Sequence, residues 1–286
     1  MSPNEFILGP EAYATAKKSL SSLKKHHAND PQVAIHLIIN IKSPLVRTKD
    51  YRPRIVPVTH KLDKPTTQRI LMITKDPSVG YRAALTAEGS ATEDVFRDVY
   101  SLKKIRGLSR SKKSLVRLFK EYDVVVCDIR VLKFLPGVLG EVFYAKNKKV
   151  PYVVQMAKPS ARAELARSKE GKLKDERCDA KYVALQIESI VGNTSYIASD
   201  AGDCLSLRIG YCDWKTEELV TNLNDVVDYL VSEKYLPVGG VLKALDNVGN
   251  VHVKTSESVS LPVFIRNRDG EKSSEGDDEN DSDFDF

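Results

Sequence analysis

The residues of this 286-residue chain best placed to do chemistry are cations. From Lys103 to Lys120 there are eight bases and no acid: Lys103, Lys104, Arg106, Arg110, Lys112, Lys113, Arg117 and Lys120. Eight phosphate contacts would give an affinity falling with salt at a log–log slope on the order of −6 to −7 for a duplex-like polyanion. The same spacing also describes a solvated helix face preceded by a flexible loop. A second stretch, Lys158 to Arg177, mixes seven bases with four acids and reads as a helical or mobile link, a hinge with a weaker field. A third group is scattered in sequence: His36, Asn40, Lys42, Arg208, His252 and Lys254 alternate with apolar residues. If their strands pair in register, they line one face. Polar donors on rigid strands read phosphates and 2′-hydroxyls well, although a hydrated sheet face has the same pattern.

Other chemistries find less support. The turn Thr74-Lys75-Asp76-Pro77-Ser78-Val79-Gly80 has neither a dinucleotide fingerprint nor a Walker sequence, so Lys75 and Asp76 read as a surface turn. Gly137-Val138-Leu139-Gly140 is apolar and helix-like, which suggests close packing. There is no G-x-S-x-G elbow and no H-E-x-x-H run. His26-His27 closes a lysine-rich helix as a solvated last turn, and Asp277-Asp278 lies in a segment too polar to form a pocket. The four cysteines Cys127, Cys178, Cys204 and Cys212 have no C-x-x-C spacing; Cys127, in an apolar run, reads as a reduced core thiol. These residues predict no enzyme, no metal and no cofactor. Asn193-Thr194-Ser195 fits a glycosylation acceptor only as a string.

The elements that must position the cations show two textures. Helical spacing runs from Glu11 to His27 through Tyr13, Ala16, Leu20 and Leu23. Val33 to Lys42 alternates, with His36, Asn40 and Lys42 on one side, as do Leu205-Leu207-Ile209 and Val251-Val253; alternation predicts an antiparallel sheet with one face buried. In between, Ile70–Ile73, Val124–Cys127 and Tyr152–Val154 are continuous apolar runs, which suit a parallel sheet covered on both faces. Crossover helices are expected near Thr92–Tyr100, Lys113–Glu121 and Leu135–Lys146, and a last helix over Thr216–Val231, before a break at Gly239-Gly240. An antiparallel α/β domain interrupted by a doubly wound one gives this order.

Charge is divided as sharply. Residues 269–286 hold nine acids and one base, a net −8, so a total of +5 leaves +13 on the body. A basic body points to a polyanionic partner, and the acidic tail is expected to be disordered. It could compete with that partner, and Ser273, Ser274 and Ser282 could be phosphorylated within it. No stretch approaches the roughly 20 apolar residues that span a bilayer, and Met1–Phe6 lacks the basic and apolar regions of a secretory signal.

Four stretches resemble the ribosomal L-one (stalk protein) domain family, in the family's order: Val33–Lys42; Pro53–His60 leading into Ile70–Lys75; Tyr122–Gly140; and Cys204–Gly210 with its following helix. Val251-His252-Val253-Lys254-Thr255-Ser256 is similar to the closing strand, so the resemblance covers about residues 10–265. Ile73–Ser78, Leu135–Gly140 and Asn193–Tyr196 are most similar to the eukaryotic nucleolar branch, the L-one-domain component of the small-subunit processome. The resemblance implies a two-domain α/β fold, in which a split α/β domain with an antiparallel sheet holds both termini and a Rossmann-like three-layer domain is inserted. Residues 5–67 and 178–266 would form the first, 68–157 the second, 158–177 a basic link and 267–286 the tail.

The resemblance also implies a non-catalytic RNA-binding factor of ribosome assembly in the nucleolus, acting in small-subunit (18S) pre-rRNA processing. Its partners would be pre-ribosomal RNA and assembly factors, with no membrane and no small-molecule substrate, and it would be a monomer within a large ribonucleoprotein. Lys42, Lys254, Thr255 and Ser256 take the family's RNA-binding positions; Arg208 and His252 on the sheet face and Lys103–Lys113 on the basic stretch add to them. Stalk proteins place Thr-Met-Gly after the closing strand, where this chain reads Ser256-Glu257-Ser258, and Asn29 stands near a customary phenylalanine. An anion at that place argues against the stalk-RNA contact. A protein-interaction module with little RNA contact, or a stalk-type ribosomal protein, remain the alternatives.

Overall fold

The computed structural model describes residues 2–42, 44–48, 50–144, 149–160, 166–167, 173–198, 200 and 202–266. The tail 267–286 with its serines, parts of the 158–177 link and the expected helix end at Lys146 lie outside the described residues. From the N-terminus, α1 (Pro10–His26), β1 (Ala34–Ile41) and β2 (Arg54–Val56) come first. Then follow β3 (Ile70–Thr74), α2 (Val79–Leu85), β4 (Phe96–Ser101), α3 (Leu102–Ser109), α4 (Lys112–Glu121), β5 (Val124–Asp128), α5 (Leu135–Tyr144) and β6 (Tyr152–Val154). A short ladder of β7 (Ala166–Arg167) with β8 (Leu173–Lys174) leads to α6 (Ala180–Gly192) and β9 (Thr194–Tyr196). The chain returns through β10 (Cys204–Tyr211), α7 (Thr216–Val231), β11 (Val248–Lys254) and β12 (Leu261–Phe264).

The two strand textures become two sheets. One is antiparallel, ordered β10-β1-β11-β12, so β1 is paired on both edges by strands from beyond the insertion. Ile35, Leu37, Ile39 and Ile41 are buried against Leu20 and Leu23 of α1 and Leu219, Leu223 and Val226 of α7. Ala34, His36, Ile38 and Asn40 face the other way, half-exposed. The second sheet is parallel, ordered β4-β3-β5-β6. Leu71, Ile73, Val125 and Cys127 meet α3, α4 and α5 on one face, and Ile70, Met72 and Val126 meet α2 and α6 on the other. Double cover is why these strands read as continuous apolar runs. Cys127 is fully buried, and burial pushes its thiol pKa up, as a core thiol requires.

Several expectations are corrected. Thr92–Tyr100 is not a crossover helix: it contains edge strand β4, with Phe96 and Val99 buried, and the crossover is the short α2 held by Tyr81 and Leu85. Spacing by three, Phe96 to Val99, imitates a helical stripe over so short a run. The expected flexible loop before Lys113 is α3, whose first turn is capped by the Ser101 side chain accepting from the Lys104 amide. Gly137 and Gly140 serve no close packing, since an added Cβ would meet nothing within 4 Å; Gly140 instead adopts φ +53°, breaking the regularity of α5. In its described part the 158–177 link is the β7–β8 ladder rather than a helix. The boundary drawn at 178 also moves, because Val183, Ile187 and Ile190 of α6 pack on the parallel sheet.

Gly210 of the antiparallel sheet lies tight against Leu219 of α7 and the Trp214 ring. A Cβ there would lie 2.6 Å from Leu219 Cδ2 and 2.8 Å from Trp214 Cε3. Gly210→Ala is expected to destabilise the protein by about 1–3 kcal/mol through overpacking, read as a lower urea midpoint; an unchanged midpoint would show that the layer can part at no cost.

Candidate nucleic-acid interface

Register decides which side chains share the open face of the antiparallel sheet. His36 pairs with Arg208 on β10 and with Lys254 on β11, so Arg208, His36 and Lys254 form one row across three strands. The next row is Ser206, Ile38 and His252. Of the predicted residues, the structure therefore brings together Arg208, His36, His252 and Lys254. Lys42 is exposed but lies six residues beyond His36, about 20 Å along the strand direction. Ser256 is exposed in the turn after β11, beside exposed Glu257.

The cations of the row are held differently. Arg208 is fixed: its guanidinium donates to Asp63 at 2.8 Å and to the Tyr211 hydroxyl at 2.9 Å, and that hydroxyl donates to Asp63 at 2.8 Å. Asp63 thus aims Arg208 and partly neutralises it. Lys254 is half-exposed and makes no ion pair among the described residues. His36 lies between them, and burial, reinforced by the charges of Arg208 and Lys254, holds its pKa below the ordinary histidine value. Asp63 was missed in the sequence because it lies in a loop with no period of its own.

Thr255, expected among the contacts, is fully buried. Its hydroxyl is 2.8 Å from His27 Nε2 and accepts from the Ser258 amide at 3.1 Å, while the Thr255 amide donates to Ser258 Oγ at 2.9 Å. Ser258 closes this turn, and His27 anchors the end of β11 rather than forming a solvated helix end. Neither role has a signature within one segment, because the partners are far apart in sequence.

The open face leads into a cleft of about 880 Å³ between the sheets. His36, Ser206 and Arg208 line one wall, and Asp123, Val124 and Tyr152, at the amino edge of the parallel sheet, line the other. The Tyr152 hydroxyl and Ser195 Oγ, both in the cleft lining and 2.7 Å apart, tie β6 to β9. On the inserted sheet, Lys103, Lys104, Arg106, Arg110, Lys112 and Lys113 are all exposed on α3, α4 and their junction.

Doubly wound sheets bind nucleotides at the carboxyl-end crevice where strand order reverses, here between β3 and β5. The chain's own groups fill that crevice. Arg130 pairs with the buried Asp128 and donates to the Asp175 carbonyl, and Lys75 meets Glu176 at 3.2 Å. Asp76 is committed as well, accepting from the Lys103 amide at 3.1 Å.

A split antiparallel α/β domain with a doubly wound insertion defines a class of two-domain proteins, and the chain falls within one family of it. Residues 17–259 match the model of the Ribosomal protein L1p/L10e family, and the chain belongs to that family. It is similar to the ribosome biogenesis protein UTP30 of Saccharomyces cerevisiae, 39% identical over 259 residues, 87% of this chain and 89% of that one. A putative ribosome biogenesis protein of Schizosaccharomyces pombe is 23% identical over 87% of this chain and 78% of its own. The large ribosomal subunit protein uL1 of Drosophila melanogaster is 27% identical over 59% of this chain and 62% of its own.

The state of His36 can be read directly. Its neutral form is favoured in the fold, so the unfolded chain binds the proton more readily; this contribution to stability is complete above the ordinary histidine pKa and is lost as pH falls toward the depressed value. A polyanion seated on the row would favour the imidazolium and raise that pKa. Ring-proton NMR is expected to show His36 titrating below the ordinary histidine value and moving up on addition of RNA; an ordinary, RNA-insensitive titration would contradict this geometry.

Proposed function

We propose that the protein is a non-catalytic ribosome biogenesis factor that binds pre-ribosomal RNA on the open face of its antiparallel sheet. The observation that carries this reading is the row Arg208–His36–Lys254, set on rigid strands and opening into the interdomain cleft. Rigid donors fix register on a phosphate backbone, and a structured RNA is recognised through its shape and 2′-hydroxyls at such a surface. Lys42, His252 and Ser256 extend the same surface. The family and the biogenesis relatives support ribosome assembly as the setting. Within that setting we place the protein in the nucleolus, in small-subunit pre-rRNA processing, as a monomer among assembly factors.

The exposed Glu257 at the turn after β11 favours an RNA site other than that of the mature stalk. A second reading, docking on assembly proteins with little RNA contact, is favoured by exposed Leu236 and Val238, 55% and 65% accessible on one loop.

The test is charge removal within the row. Reversing Arg208 would set two carboxylates together at Asp63, so the informative pair is Lys254→Glu with Arg208→Gln. It is expected to weaken structured-RNA binding about tenfold or more and to lower the salt slope by about 1 for each phosphate no longer neutralised. Lys18→Glu with Lys25→Glu, on the exposed side of α1, should cost far less. Equal losses from the two pairs would mean non-specific attraction to a basic body.

A further inference from the structure

We infer that the outer surface of α3 and α4, together with Phe134, is a second nucleic-acid site and that it takes a single-stranded RNA segment. The inference rests on the protein's being an RNA-binding factor, though not on the sheet face as its main RNA surface. Helical geometry leaves the bases on the outer side of both helices. Lys103 and Arg106 flank the buried Leu102 and Ile105 on α3, and Arg110 follows its end; Lys113, Arg117 and Lys120 oppose Leu115 and Leu118 on α4. All six are exposed, and none of their side-chain cations is in an ion pair among the described residues. Several arginines elsewhere are paired, as Arg69 is with Asp123 at 2.7 Å and Arg208 with Asp63 at 2.8 Å. A surface that clusters unneutralised cations keeps its field for an external polyanion.

Aromatic rings select the kind of polyanion. Phe134 is 39% exposed, and two cations lie against its ring: Arg106 Cζ at 5.3 Å and Lys133 Nζ at 5.0 Å from the centroid. One turn away, Lys104 Nζ lies 3.4 Å from the Tyr100 centroid. An exposed guanidinium backed by a ring is a planar platform on which an unpaired base stacks, while the stripes follow the backbone. An acidic polypeptide would use the charges but gain nothing from the platform, and a duplex keeps its bases inside. Single-stranded RNA uses both.

The position sets this surface apart from the cleft. Phe134 follows the carboxyl end of β5, whereas Asp123 and Val124 of the cleft stand at its amino end. One protein would thus hold a structured element on its sheet face and an unpaired segment at the far edge of its inserted domain.

The experiment uses the full chain and fluorescence anisotropy with three probes: a 15-nucleotide oligoadenylate, an RNA hairpin and poly-glutamate. Phe134→Ala is expected to weaken oligoadenylate binding about tenfold, in line with the loss of one stacked base, and to reduce hairpin binding much less. Phe134→Trp should retain or strengthen oligoadenylate binding, which also shows that the position tolerates change. Lys113→Glu with Arg117→Glu should reduce it at least tenfold. Oligoadenylate binding indifferent to Phe134 would overturn the inference, as would poly-glutamate binding as tightly as the RNA with the same sensitivity to substitution. Oligoadenylate affinity abolished only in Lys254→Glu with Arg208→Gln would also overturn it. If that pair instead leaves hairpin binding intact while Phe134→Ala still weakens oligoadenylate, the sheet-face reading fails and this one stands.

Discussion

β1 is hydrogen-bonded along both edges by strands that the chain reaches only after its inserted domain is complete. That pairing is the constraint on which the rest of the molecule depends. It closes the split domain, places both cut ends of the insertion on one side, and sets the register of every side chain on the open face. A slip of one residue would carry Ile35, Leu37 and Ile39 to solvent and His36 into the core, so the burial that stabilises the sheet also fixes the row of cations. The open polar face and the hydrophobic core are two faces of one pairing.

The same pairing explains the unequal treatment of the positive charges. Arg208 stands where β10 approaches the cleft and is held by Asp63 and Tyr211, which costs it free charge and gives it a fixed direction. Lys254, on the far side of His36, is half-exposed and makes no ion pair among the described residues. Thr255, next along, turns inward to His27 and is spent on anchoring the end of α1 to the turn after β11. Lys254 at the end of β11 and Thr255 just past it thus turn to opposite sides, one half-exposed and one buried.

Much of this was legible in the sequence. Alternation along Val33–Lys42, Leu205–Ile209 and Val251–Val253 gave strand identity, buried side and antiparallel pairing, and the continuous runs at Ile70, Val124 and Tyr152 gave the parallel sheet. The face residues were therefore readable as a set, but their adjacency was not, since register is a property of two segments. β4 escaped because it sits at an edge and spaces its buried Phe96 and Val99 as a helix would. α6 escaped altogether, and its apolar stripe would in any case show that a helix packs, not on which sheet. Asp63, His27 and Ser258 act through partners remote in sequence, where no local pattern marks them.

The central claim is that a structured pre-ribosomal RNA lies on the open sheet face. Ultraviolet crosslinking in cells, followed by mass spectrometry of nucleotide-bearing peptides, tests it most directly. The account predicts ribosomal RNA adducts concentrated on the peptides of β1, β10 and β11, around His36, Arg208 and His252–Lys254. Reproducible adducts confined to other surfaces, or none to ribosomal RNA at all, would contradict it.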